Sequence, residues 1–395
     1  MSTESLVAER LPAVAEVRHR LHRIPELAFE EVKTAAAIRG ELDRLGIDYV
    51  GGIKNAPTAT IAVIGDPTKP CIALRADIDA LPIFEKTGLP YASTHGGCMH
   101  ACGHDGHMAT LLGVAAILNS IKDELPVCVK LIWQPAEEGG GGAARLVEAG
   151  VLDGRPPCGP KVSAIFGLHG WPGLKVGTIA TRPGALLAAT DNFLATFIGK
   201  GCHGAYPHLG ADPIVTACEA VLSVQQFVSR ETDPTDSCVV TVGKIVAGTA
   251  VNIIPDSARI EATVRTLTRE QRTQARERLE RRMRGVALAN GCELQWQWNE
   301  GYPATINDPA MADYVARVAR QTFGDDRFIP VARSSMGGED FSYYLEKIPG
   351  CFFLIGVEPP DRTGYPSLHS DCYDFTDAAL AVGMRMFVEL VRNWR

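Results

Sequence analysis

Four stretches decide the fold: residues 71–75 (C-I-A-L-R), 106–121 (G-H-M-A-T-L-L-G-V-A-A-I-L-N-S-I), 127–133 (V-C-V-K-L-I-W) and 162–168 (V-S-A-I-F-G-L). The second is long enough for a helix; the others are short apolar runs of strand length. Apolar strands alternating with helices predict a doubly wound, mainly parallel α/β sheet. Working outward, an amphipathic helix is expected near residues 6–21 and another near 31–45, closed by Gly46. A strand at 59–64 precedes the central block, and a Gly-rich turn at 139–142 leads into a short helix. The same pattern returns late in the chain, with a helix near 309–323, a strand at 352–357 and a closing helix near 377–392.

Between these blocks the pattern changes. Strand 192–198, helix 213–228, strands 239–245 and 259–266, a strongly charged helix 269–288 and strand 293–298 give the order βαββαβ, a split-βαβ two-layer unit. The expected organisation is a discontinuous catalytic domain, residues 1–185 and 304–395, with an inserted α+β lid and dimerisation domain over 186–303. Such a unit has exposed sheet edges, and pairing them across a two-fold axis covers them, so a homodimer or homotetramer through this domain is expected.

Composition bounds the function. With 395 residues, 46% of them hydrophobic and 22% charged, the chain reads as a globular protein of two or three domains. A net charge of −7 without a basic stripe speaks against nucleic acid as a partner. The segment from Met1 to Leu6 lacks the build of a secretory signal, and no apolar run approaches the ~20 residues that cross a bilayer. The expected setting is cytoplasmic, with no membrane partner. Eleven cysteines there read mostly as small buried hydrophobes, unless one stands among histidines.

One does. Residues 99–107, M-H-A-C-G-H-D-G-H, put Cys102 among His100, His104 and His107, just before a helix. On an extended backbone a thiolate and an imidazole two residues apart reach one centre. A lone C-x-H is more often a buried cysteine beside surface histidines; three histidines, a cysteine and an aspartate within nine positions favour a metal site. Glu137 and Glu138 follow the strand 127–133, and adjacent carboxylates on an extended segment point opposite ways, so one is free to bind metal while the other faces water. An isolated Glu-Glu pair is usually a solvated turn. Here His169 ends another strand, Asp77 and Asp79 end a third, and His369 precedes the last helix. Ligand-type side chains at several strand ends match the crevice where open α/β sheets build their sites.

These residues resemble the hippurate hydrolase and indoleacetyl-amino-acid hydrolase branch of the aminoacylase–carboxypeptidase metallohydrolases. The likeness rests on R-A-D-I-D-A-L-P at 75–82, the 99–107 motif, Q-P-A-E-E at 134–138, G-L-H at 167–169, G-C-H-G-A-Y-P-H at 201–208, N-I-I-P at 252–255, G-G-E-D-F at 337–341 and L-H-S at 368–370. It implies an amidohydrolase that cleaves small N-acyl-amino acids, hippurate-like or N-acetyl, to a carboxylic acid and a free amino acid. It also implies two divalent metals per subunit, zinc or manganese foremost, with cobalt or nickel admitted. The implied ligands are Cys102, His104, Glu138, His169 and His369, with Cys102 bridging. Glu137 would be the general base, and Asp77 would orient a ligand imidazole. His203 and Asn252, in the family often supplied by a second subunit, would serve the oxyanion and the substrate carboxylate, and Arg265 is a further carboxylate candidate. Cys202 departs from the glycine that relatives more often carry, widening the turn before His203. Two rivals differ in kind: a Cys102 nucleophile with His104 as base, which leaves Glu137, Glu138, His169 and His369 without a use, and a silent metal-binding scaffold, which has no use for the base.

Overall fold

The structure, a computed structural model, describes residues 1–362 and 364–395. The chain divides into two compact units: Met1–Leu186, Ile306–Ala332 and Asp340–Arg395 form the first, Leu187–Thr305 and Arg333–Glu339 the second. Residues 333–339, expected with the first domain, group with the second. The Ala188 amide donates to the Gly337 carbonyl (2.8 Å) and the Thr305 hydroxyl to that of Glu339 (3.2 Å).

In the first unit, helices α1 (Thr3–His22) and α2 (Val32–Arg44) precede strands β1 (Tyr49–Ile53), β2 (Ala56–Ile64) and β3 (Cys71–Asp77). Helix α3 (His104–Ser120), strand β4 (Cys128–Gln134), strand β5 (Val162–Lys175) and strand β6 (Ile179–Thr181) follow. One eight-stranded sheet runs in the order β1, β2, β4, β3, β5, Gly350–Glu358, β6, Phe328–Pro330. Its centre, β4-β3-β5 and Gly350–Glu358, is parallel, while β1 and β2 form an antiparallel edge. Every residue of β3 and β4 is buried, as a parallel sheet covered on both faces requires. Helix α3 is buried through most of its length; it packs against β3, α1 and the last helix, Asp377–Arg392.

Three local expectations change. Strand β1 was not foreseen, because Gly51 and Gly52 interrupt its pattern. Strand β5, expected to end at residue 168, runs on past Pro172 and Gly173; parallel pairing with Gly350–Glu358 carries it onward, so His169 lies within the strand, two positions beyond the end of its pairing with β3. The helix expected after Gly106 begins at His104, because Gly103, at φ +88°, turns the chain into it. Cys102 and His104 are therefore joined by a left-handed turn, not by extended backbone.

The second unit is a four-stranded antiparallel sheet ordered Cys238–Ala247, Ser257–Thr266, Ala189–Ile198, Glu293–Asn299. Strand Ala189–Ile198 alternates strictly, burying Phe193, Ala195 and Phe197 under two helices. Helix Pro213–Gln226 contributes Ala217, Ala220 and Val224; helix Arg269–Ala289 contributes Ala275, Leu279, Met283 and Ala287, one residue every four. A capping box starts the charged helix: the Gln271 amide donates to the Thr268 hydroxyl (3.1 Å) and the Thr268 amide to the Gln271 side-chain oxygen (3.2 Å). Among the described residues no helix is long and apolar enough to cross a membrane.

Helix α1 also buries charge. His22 lies between the Asp105 carboxylate at Nδ1 (2.9 Å) and Glu85 at Nε2 (3.2 Å), with its ring edge-on to Tyr91. Burial lowers its pKa, but Asp105 and Glu85 outweigh burial and lift it to about 9. A histidine raised in the folded state stabilises fully below its unfolded pKa near 6.5, and that stability is lost as pH rises through 9. Thermal unfolding at pH 6.5 and 9.5 should therefore show a loss of roughly 3 kcal/mol from this group, absent in His22→Gln. An unchanged pH slope in the variant would contradict the assignment.

Candidate metal centre

The C-terminal end of the parallel sheet supplies the site. Strand β3 delivers Asp77 and, two residues on, Asp79; β4 ends at Gln134 and leads to Glu137 and Glu138; β5 carries His169. Cys102 and His104 stand at the start of α3, and His369 in the loop before the last helix. Two triads form around one thiol. Cys102, His104 and His169 bring ligand atoms within 4.8 Å of one another, and so do Cys102, Glu138 and His369. Glu137 joins His104 and Glu138 in a third such group.

Hydrogen bonds fix which imidazole nitrogens face inward. His104 Nδ1 donates to the Asp79 carbonyl (2.8 Å), so Nε2, without a hydrogen-bond partner among the described residues, faces the opposite way in a fully buried place. His169 Nδ1 donates to the Gly170 carbonyl (2.8 Å), so Nε2 faces the Cys102 sulfur at 3.3 Å. His369 Nε2 lies 3.2 Å from Glu138 Oε1. Its backbone is strained at φ +64°, and its amide donates to the Ala101 carbonyl (2.9 Å), which ties the His369 loop to the segment before Cys102.

Asp77 faces two imidazoles, with its Oδ2 3.7 Å from His104 Nε2. Its Oδ1 accepts from His107 Nδ1 (2.7 Å), and His107 Nε2 in turn accepts the Gly170 amide (2.9 Å). That amide occupies the lone pair of His107 and holds the ring between Asp77 and Gly170, while the Asp79 carbonyl accepts from the far side of the His104 ring. Asp79 is the residue sequence reasoning undervalued. Its carboxylate accepts the amides of Glu137 (3.0 Å) and Glu138 (2.8 Å) and so sets the direction of both side chains. Arg75, wholly buried, bonds Asp77 (2.6 Å), Gln134 (2.8 Å) and Asp340 (2.9 Å), locking three segments beneath the site. Both residues were visible in the 75–82 motif; only their partners were not.

The electrostatics suit a divalent cation. Burial raises the Cys102 thiol far above its ordinary value, and Glu138, Glu137 and Asp77 raise it further. Burial would lower His104, yet Asp77 and Asp79 hold it up to about 10: the cluster draws in positive charge. A thiol, three imidazoles and carboxylates around an unpartnered, buried His104 nitrogen are a donor set of the zinc class.

In the second unit, His203 pairs with Ile253 in a two-residue ladder, and its Nδ1 accepts the Ala205 amide (3.0 Å). His203 and Asn252 line one open cleft of about 880 Å³. The Cys202 sulfur lies 2.7 Å from where Gly210 would carry a Cβ, so a glycine opposite makes its room. Arg265 sits elsewhere on the sheet, between Val239 and Thr190 on its neighbour strands, and half-burial lowers its pKa.

Residues 73–393 match the model described as Peptidase family M20/M25/M40. An N-acetyl-L-cysteine deacetylase of Bacillus subtilis is 43% identical, over 90% of this chain and 83% of its own. An IAA-amino acid hydrolase (ILR1-like 4) of Arabidopsis thaliana is 38% identical over 96% and 84%. A crystal structure of a Bacillus subtilis dinuclear metal binding peptidase from the M20 family superposes with a TM-score of 0.83 at 37% identity, covering 97% of this chain and 98% of that one.

Because one Asp79 carboxylate holds two backbone amides, Asp79→Asn leaves one of them unsatisfied. It should cost about 1–3 kcal/mol of stability and roughly 10–100-fold in metal affinity or activity. Calorimetric unfolding and chelator competition measure both; wild-type values would remove Asp79 from the site.

Proposed function

The chain belongs to peptidase family M20/M25/M40, and on that premise we propose that it is a metal-dependent amidohydrolase splitting an N-acyl-amino acid into a carboxylic acid and a free amino acid. The observation that carries this reading is the pair of donor triads sharing Cys102. The deacetylase and the IAA-amino acid hydrolase among its relatives support the substrate class, with hippurate-like and N-acetyl compounds as first candidates. Cys102, His104, Glu138, His169 and His369 would hold two divalent ions, zinc or manganese before cobalt or nickel. Once bound, the ions supply Lewis acidity that acidifies water and polarises the scissile carbonyl.

The chain's own residues do the rest. Glu137, 6% exposed and aimed by Asp79, takes the water's proton and passes it to the departing amine nitrogen. We assign His203 and Asn252 to the oxyanion and the substrate carboxylate, with Arg265 as a further candidate for that carboxylate. Eleven free thiols fit a reducing, cytoplasmic setting.

For a Cys102 nucleophile, the expected base His104 has Nδ1 committed to the Asp79 carbonyl and no hydrogen bond from Nε2 to the sulfur among the described residues; the 3.3 Å contact of Cys102 is with His169 instead. Protonation opposes that pairing too: burial drives the thiol up and His169 far down, so the thiolate–imidazolium pair that such chemistry needs is disfavoured.

Glu137→Gln should keep both metals by elemental analysis and lose about 10²–10⁴-fold in turnover, whereas Cys102→Ser should release metal. Near-normal turnover in the first, or intact stoichiometry in the second, overturns the corresponding role.

The same proposal extends to assembly. Strand Cys238–Ala247 is an unpaired sheet edge carrying exposed Val239, Ile245 and Val246, and the helix Pro213–Gln226 exposes Ile214, Val215 and Leu222. Apolar residues beside free backbone groups fit a second copy of the same edge. Sedimentation should give a dimer or tetramer that Val246→Lys weakens; a monomer at all concentrations contradicts it.

A further inference from the structure

We infer that Arg18 is a positioning residue for the metal centre, a cross-brace that holds the His369 loop in register with the Cys102–His104 turn. The inference rests on the metal reading above and names a part that reading does not contain.

Arg18 projects from α1 and is wholly buried, and its three side-chain hydrogen bonds go to carboxylates outside the proposed ligand set. Each nitrogen of its guanidinium takes a different carboxylate. Nε donates to Asp105 (2.9 Å), Nη1 to Asp377 (2.7 Å), and Nη2 to Asp374. Asp105 is the residue after His104; Asp374 and Asp377 follow His369 by five and eight positions. One planar group therefore joins the two segments that bring the two halves of the ligand set. Neighbours on the same helix repeat the pattern. His22 holds Asp105 from a second side, and His19 Nε2 meets Asp377 at 2.9 Å. Tyr91 lies against the Arg18 guanidinium (4.9 Å to the ring centroid) and donates to Asp374 (3.1 Å).

The loop needs such a hold. His369 sits at φ +64°, a conformation that costs free energy unless its surroundings enforce it. The loop also presses on the start of α3 with nothing to spare: a Cβ on Gly106 would fall 2.3 Å from the Phe375 ring, and one on Gly103 3.0 Å from the Tyr373 hydroxyl. A slip of the loop by a fraction of an ångström would move His369 off Glu138 while leaving Cys102, His104 and His169 in place. Lysine cannot substitute, because a point charge does not span three carboxylates in fixed directions.

The discriminating variant is Asp374→Asn with Asp377→Asn. These carboxylates are 24% and 40% exposed, so the doubly substituted protein keeps the fully buried Arg18–Asp105 pair and its fold. Metal titration against a chromogenic chelator should show two ions per chain in the parent. In the variant one ion should bind as before and the other roughly 10–100-fold more weakly, with circular dichroism unchanged. Arg18→Lys should show the same one-site loss. Two affinities within twofold of the parent, or equal loss of both, would overturn the brace; a parent binding fewer than two ions would overturn the metal reading and the brace with it.

Discussion

A buried thiol ringed by carboxylates is the constraint from which the rest of the first unit follows. Cys102 is 7% exposed, and Asp77, Glu137 and Glu138 all press its proton on rather than off. Negative groups gathered in a low-dielectric place repel one another unless a cation joins them. The unit accepts that repulsion because its topology converges there: β3, β4 and β5 run parallel, and their carboxyl ends open on the same side. A parallel core brings together side chains from distant positions in the chain that no local segment could assemble.

Convergence alone does not aim a ligand, and the aiming is done by groups that never touch the centre. Backbone carbonyls of Asp79 and Gly170 fix the tautomers of His104 and His169. The Asp79 carboxylate sets the Glu137–Glu138 turn, where Ala136 takes a positive φ. Below it, Arg75 joins Asp77, Gln134 and Asp340; beside it, Arg18 joins Asp105, Asp374 and Asp377. Each arginine is wholly buried and bound to at least two carboxylates, the condition under which burying a guanidinium is tolerable.

How much of this the sequence displayed depends on the range of the interaction. The apolar runs of β3, β4 and β5 and the charged helix expected over 269–288 were legible, because such elements are written in local pattern and composition. The ligand types were legible for the same reason: a thiol and histidines crowded within nine residues are a local signal. What stayed hidden was set by partners far along the chain. Strand β5 continues past Pro172 only because Gly350–Glu358 lies alongside it. Asp77 accepts from His107 because Gly170, 93 residues on, occupies the other side of that ring. Arg18 reads as one more charge on an amphipathic helix until Asp374 and Asp377, more than 350 residues later, close around it.

The most direct test of a shared thiolate is X-ray absorption at the metal edge of the fully loaded enzyme. A sulfur shell together with metal–metal scattering, both removed by Cys102→Ser, is the predicted result. A shell of oxygen and nitrogen alone, unchanged by that substitution, would show that Cys102 bridges nothing.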